Sequence, residues 1–233
     1  MDTLLGIDWR EAWLEREKKR NKAAQSSCWD ERSQDFKEHS GVSAYTDIFL
    51  QYLDLEPGQS VLDMGSGPGT VAIPLALRGH RVVAADFSPG MREVALQRAH
   101  EQGLKDFEVK ALDWNEDWQV AGIKPKSFDV VIASRSTMVD DLGAAFEKLD
   151  LTARSKVALT MVTEYGPKGY KPLGSEQDGC AEYLPDYIYG VNLLLQMGIH
   201  PELRYIETTH GNCPDMEGKL VRWAYLSWEP MTL

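Results

Sequence analysis

After Pro57 and Gly58 the chain changes from helix-compatible sequence to short apolar runs that alternate with helical segments. Ser60 to Met64 reads as a first strand, and Thr70 to Arg78 as a compact apolar helix stopped by Gly79. RVVAAD gives a second strand ending on Asp86, and Ser88 followed by Pro89 starts a helix that ends near Gly103. Phe107 to Leu112 reads as a third strand, SFDVVIAS (residues 127–134) as a fourth and Ser155 to Val162 as a fifth, with Asp140 or Asp141 capping the helix between the last two. Strands alternating with helices call for a parallel sheet covered on both faces and joined by right-handed crossovers. The expected fold is α/β and doubly wound, with ligands bound beyond the carboxyl ends of the strands.

The ends of the chain depart from this rhythm. Residues 1–55 read as a helical arm within the same domain as residues 56–233, with helix starts at Asp8, at Cys28 to Asp30 and at Ser43. Trp9 and Trp13 stand four apart and share a helix face, which predicts packing on the core. The aromatics Trp29, Phe36 and Tyr45 make the arm a candidate lid as well, one that excludes water from a ligand. EREKKRNK, residues 15–22, reads as a solvated helix face with Glu15 and Lys19 placed to pair. Residues 164–183 are rich in glycine and proline, and a connection of that length is usually functional or mobile. A helix over Pro185 to Met197 follows, and PELRYIETTH and KLVRWAYLSW then predict an antiparallel hairpin on the sheet edge.

Charge and composition narrow the function. The 233 residues carry a formal charge of -11, which disfavours a broad electrostatic grip on nucleic acid. No run approaches the roughly 18 apolar residues of a membrane span, and MDTLLGIDWREAW is too acidic and too briefly apolar for a secretory leader, so a cytoplasmic protein is expected. Cys28, Cys180 and Cys213 form no CxxC pair and read as reduced thiols. His210 and Cys213, in HGNCPD, lack a second pair of ligands, and no metal is expected.

The candidate chemistry centres on VLDMGSGPGT, residues 61–70. An apolar run that reaches Gly65, Gly67 and Gly69 and then returns to helix-compatible sequence describes a sharp strand-to-helix turn. Such a turn lets a ligand lie on bare backbone, near N–H groups that lack intrahelical partners. A nicotinamide fingerprint needs GxGxxG or GxGxxA, and Thr70 stands at its third position. VLDMGSGPGT, the acid closing the next strand in VVAADFSPGM, then ALDW and FDVVIAS together resemble the class I S-adenosylmethionine-dependent methyltransferases over residues 58–162.

That resemblance implies a mostly parallel seven-stranded sheet with an antiparallel last strand, S-adenosylmethionine as cofactor and S-adenosylhomocysteine as product. It implies that Asp63, Gly65, Ser66 and Gly67 line the methionine portion, where a carboxylate suits an ammonium and a sulfonium. Asp86 would accept hydrogen bonds from both ribose hydroxyls, and Phe87 and Met91 would pack near the adenine. Asp113 and Trp114 would meet the adenine amine and ring, while Ser134 and Arg135 would face the transferring methyl group and the acceptor. Asp113 shares LDWNEDW with Glu116 and Asp117, which are alternatives for its role.

The reaction implied is an in-line displacement at the methyl carbon, for which alignment supplies up to roughly 7–11 kcal/mol in favourable systems. A base is needed only for a hydroxyl or protonated amine acceptor, and His39, Glu164, Tyr165 and His210 are the candidates. ASRST lacks the NPPY-type signature of enzymes that methylate planar nitrogens. The aromatic-rich segments suggest an acceptor pocket from Trp29, Phe36, Tyr45 and Tyr165, with Arg135 beside it, and a small-molecule acceptor is expected. An RNA or protein acceptor, RNA being guided by Lys18, Lys19 and Arg20, and a non-catalytic cofactor-binding partner protein are the alternatives. The sequence carries no sign of an oligomeric state.

Overall fold

The computed structural model describes residues 6–19, 43–163, 184–209 and 220–231. Its central strand, β1 (Ser60–Met64), is buried along its whole length, as a strand covered on both faces must be. β1 pairs in parallel with β2 (Arg81–Asp86) and with β4 (Phe128–Ala133); β2 carries β3 (Glu108–Ala111), and β4 carries β5 (Ala153–Val162). β7 (Leu220–Trp228) lies between β5 and β6 (Glu202–Thr209) and runs antiparallel to both. The seven strands are therefore ordered β3-β2-β1-β4-β5-β7-β6, and the expected terminal hairpin forms one edge of the sheet.

Six helices flank the sheet among the described residues: α1 (Trp9–Lys19), α2 (Ala44–Leu53), α3 (Ala72–Leu77), α4 (Pro89–Glu101), α5 (Leu142–Thr152) and α6 (Asp186–Gln196). Strand alternation divides the core. Leu62, Met64, Val131 and Leu159 join Trp13, Phe146 and Leu193 from α1, α5 and α6, whereas Val61, Val82, Ile132 and Ala158 join Phe49, Leu53 and Leu75 from α2 and α3. Full burial of such a side chain contributes about 1.5–3 kcal/mol. The start signals act locally: Ser43 Oγ accepts from Thr46 N–H, Ser88 Oγ from Met91 N–H, and the Asp141 carboxylate from Ala144 N–H.

Several elements are shorter than the sequence predicts, β4 and α6 at both ends among them, and two of these bear on the site. β3 is a partly exposed edge strand and ends at Ala111, and α3 begins only at Ala72 because the glycine turn occupies the residues before it.

The basic run in α1 departs from the expectation of a solvated face. Glu15 and Lys18 are exposed, but Arg16 is buried and pairs with Asp186 at the start of α6. Its guanidinium carbon lies 4.7 Å from the Trp13 ring centre and 5.1 Å from that of Tyr189. The cause is helical spacing, since Trp9, Trp13 and Arg16 fall at i, i+4 and i+7 on one face. Trp9 and Trp13 each meet the Tyr189 ring edge-on at 5.8 Å, and Trp13 Nε1 donates to Val139 O at 3.0 Å. Arg10 adds an ion pair to Asp141 at 2.8 Å. α1 is thus built into the core, as the spacing of its tryptophans predicts.

Candidate active site

At the carboxyl end of β1 the chain turns at once, with φ of 70° at Gly65 and 54° at Gly67. The N–H groups of Gly65 and Ser66 both donate to Ala85 O, at 2.8 and 2.9 Å, which pins the turn to the end of β2. A Cβ on Gly65 would lie 2.3 Å from Ser136 Cβ, so glycine is what lets the exits of β1 and β4 close on each other.

Two carboxylates stand at this turn in different states. Asp86 accepts from Gly67 N–H at 2.8 Å with one oxygen and from Ser88 N–H at 2.9 Å with the other, which fixes its orientation. Asp63 is 1% exposed, and neither of its oxygens has a hydrogen bond. Burial, and then the charge of Asp86, push its pKa up to about 7, although the Ala72 N–H and the Arg135 guanidinium ease its charge. Ser66 Oγ is buried beside it, also without a hydrogen bond. Leaving a buried polar group unpaired costs about 1–3 kcal/mol. Three such atoms cluster around the glycine turn, and an unpaired buried carboxylate with a raised pKa is what makes this turn the candidate site.

The exit of β4 forms the third side. Ser134 Oγ and Thr160 Oγ1 both bond the Tyr45 hydroxyl, at 2.9 and 2.7 Å, and Arg135 N–H donates to Thr160 Oγ1 at 2.9 Å. Ser136 Oγ donates to Met64 O at 2.7 Å. Burial pushes the Tyr45 hydroxyl pKa up, against the pull of Arg135. Arg135 itself is exposed and has φ of 58°.

The remaining expected site residues fall in two groups. Phe87 and Met91 sit at the start of α4, half-buried and buried, next to Asp86. Asp113 Oδ1 accepts from Asn115 N–H at 2.7 Å in the turn after β3, while Trp114 lies 5.5 Å from Trp118 and packs against the core. Trp29, Phe36 and Tyr165 lie outside the described residues, as do His39, Glu164, His210 and Cys213. Sequence reasoning missed Ser136 and Thr160. Their signals were slight: a second serine in ASRST, and one hydroxyl in the apolar run VALTMV.

Residues 61–152 match the family profile described as "Methyltransferase domain". An uncharacterised protein of Haemophilus influenzae is 38% identical over 188 residues, covering 78% of this chain and 67% of that protein. The chain belongs to the class I S-adenosylmethionine-dependent methyltransferases. The aklanonic acid methyltransferase DauC of a Streptomyces species is 33% identical over 119 residues, 48% of this methyltransferase and 52% of that protein. A methyltransferase structure from Aquifex aeolicus superposes with a TM-score of 0.61 at 17% identity over 87% of this chain and 98% of that one, a likeness of fold.

Outside the strand ends, the methyltransferase has a cavity of about 390 Å³ between Trp118, Ile123 and Pro125 of the β3–β4 connection and Lys148 and Leu151 of α5. None of the glycine turn lines it. Among the described residues, no helix is long and apolar enough to cross a membrane.

Proposed function

We propose that this methyltransferase binds S-adenosylmethionine at the ends of β1, β2 and β4 and transfers its methyl group in line to a small-molecule acceptor. The observation that carries this reading is the buried, unpartnered Asp63 carboxylate beside the glycine turn. Bound there, the cofactor supplies an activated methyl group on a positively charged sulfur.

The chain's own residues fit that ligand. Asp63 and Ser66 lack partners that an ammonium or a polar cofactor edge provides, and the Gly65–Gly67 backbone allows close approach. Asp86 is held by two N–H groups, and a carboxylate has about four acceptor positions, so ribose hydroxyls can join them. Phe87 and Met91 flank Asp86 for the adenine. Asp113 and Trp114 stand at the next strand end, although the packing of Trp114 on Trp118 already gives that ring a structural role. Ser134 and Arg135 close the site at the β4 exit and fix the side from which an acceptor approaches.

A small acceptor is supported by the charge of -11 and by the similarity to a protein named as an aklanonic acid methyltransferase. The basic run offers RNA less than its composition suggests. Arg16 is buried, and Lys18 lies 3.7 Å from Glu11.

The test has two parts. Calorimetry with S-adenosylhomocysteine is expected to show binding. Labelled S-adenosylmethionine incubated with the small-molecule, RNA and protein fractions of a cell extract is expected to label the first. Binding without transfer to any fraction would leave a non-catalytic partner protein, and label in RNA or protein would replace the acceptor class.

A further inference from the structure

Arg135 is the residue of the site that neither the cofactor nor the fold accounts for. It leaves β4 with φ of 58°, a left-handed conformation that bulky residues rarely adopt and that concentrates at functional sites. Its guanidinium carbon lies 4.3 Å from the centre of the Tyr45 ring. That platform is rigid, because Tyr45 is 4% exposed and its hydroxyl is tied to Ser134 and Thr160.

Stacking engages the flat face of a guanidinium, while its N–H donors lie in the plane as a fork that matches a carboxylate. Among the described residues, no side chain or carbonyl accepts from the Arg135 fork. Asp63 is near enough to feel its charge but makes no hydrogen bond to it. In a chain of net charge -11, an exposed cation to which no acid is hydrogen-bonded among the described residues is where an anion is received.

We propose that Arg135 holds the methyl acceptor by a carboxylate, gripped bidentately by the guanidinium fork on the Tyr45 platform. The inference rests on the methyltransferase reading above. The cofactor's own methionine carboxylate has the same chemistry, so the test separates the two sources.

A metabolite extract is split by anion exchange before reaction, and its acidic and neutral fractions are incubated separately with labelled S-adenosylmethionine. The wild-type protein is expected to label compounds of the acidic fraction. Arg135→Gln is expected to lower the initial rate at limiting acidic fraction about tenfold to a hundredfold, the loss of a hydrogen-bonded charge pair. Arg135→Lys, with charge but no fork, falls between them. Affinity for S-adenosylhomocysteine, compared at about pH 9 where Asp63 is ionised in both proteins, stays within about twofold, since the charge of Arg135 on Asp63 no longer matters there and the acceptor contact is what is removed. Arg135→Gly relieves the left-handed strain and is expected to raise Tm while losing the same rate, which separates recognition from folding. Label confined to the neutral fraction, or Arg135→Gln at the wild-type rate, would overturn the proposal. A fall in S-adenosylhomocysteine affinity would assign Arg135 to the cofactor's carboxylate and also overturn it. A wild-type protein that binds S-adenosylhomocysteine but labels neither fraction removes the enzymatic reading, and the acceptor contact falls with it.

Discussion

At the amino ends of β1 and β4, Asp129 accepts from the Ser60 N–H at 2.8 Å and hydroxyl at 2.7 Å with one oxygen, and from Arg154 Nε at 2.8 Å with the other. At the carboxyl end of β1, the Asp63 carboxylate has no hydrogen bond. The Arg154 guanidinium first, and then Ser60, hold Asp129 well below the usual carboxylate range, whereas burial lifts Asp63 to about 7. The amino end is closed elsewhere too: Asp150 accepts from Trp228 Nε1 at 3.0 Å and from Met231 N–H at 3.2 Å. At the amino end the two carboxylates are satisfied by the chain itself and Ser127 Oγ is the buried polar atom left without a partner, whereas at the carboxyl end both Asp63 oxygens and Ser66 Oγ have none among the described residues. That division leaves the end where ligands bind in open α/β sheets as the one with an unpaired buried carboxylate.

The strongest way to break the contrast is to deny the open end its geometry. Gly65→Ala places a Cβ 2.3 Å from Ser136 Cβ at φ of 70°. Left-handed strain and overpacking together are expected to cost about 2–5 kcal/mol in urea unfolding and to abolish S-adenosylhomocysteine binding. An unchanged midpoint would mean that the β4 exit is not held against the turn. Asp86→Ala is expected to weaken S-adenosylhomocysteine binding by about 1.5–3 kcal/mol, the range for hydrogen bonds to a charged group. Calorimetry with wild-type affinity would remove Asp86 from the site.

The closed end is expected to fail differently. Asp129→Ala leaves Ser60 and Arg154 without their acceptor and is expected to lower stability by about 1–3 kcal/mol at neutral pH. The folded-state pKa of Asp129 is depressed, so its contribution is present above the ordinary carboxylate pKa and is lost as pH falls toward the folded value. The gap between wild type and variant should therefore shrink below about pH 4, and a gap that widens in acid would contradict the assignment.

What was legible in the sequence is what short-range physics decides. Ser43, Ser88 and Asp141 cap helices within three residues of themselves, and the glycines of residues 65–69 carry their turn in their own backbone. Arg16 and Thr160 were hidden because their partners are distant, Asp186 being 170 positions from Arg16 and Tyr45 115 from Thr160. A charge in a charged run reads as solvated until the third dimension supplies an acid. Asp63 and Asp86 looked equivalent as acids at strand ends, and the fold then gave hydrogen bonds to one and withheld them from the other.

The smallest effect tests that last difference most closely. In the fold the Asp63 pKa rises from the ordinary 3.8 to about 7, so across that window the folded state keeps a proton that the unfolded chain has released. Stability contributed at this position therefore falls as pH rises from about 4 to about 7 and is flat above. Asp63→Asn cannot titrate. It is expected to match wild type near pH 4 and to exceed it by about 0.5–2 kcal/mol above pH 7, a part of the roughly 4 kcal/mol that the full shift would carry, because the site relaxes around the ionised acid. Affinity should move the other way, because a ligand with an ammonium and a sulfonium favours the ionised acid. Wild-type binding of S-adenosylmethionine should tighten as pH rises through about 7, while Asp63→Asn binds more weakly and without that dependence. A variant that gains stability and keeps its affinity would make Asp63 an idle buried acid, and the open end of the sheet would then need another reason for leaving it unpaired.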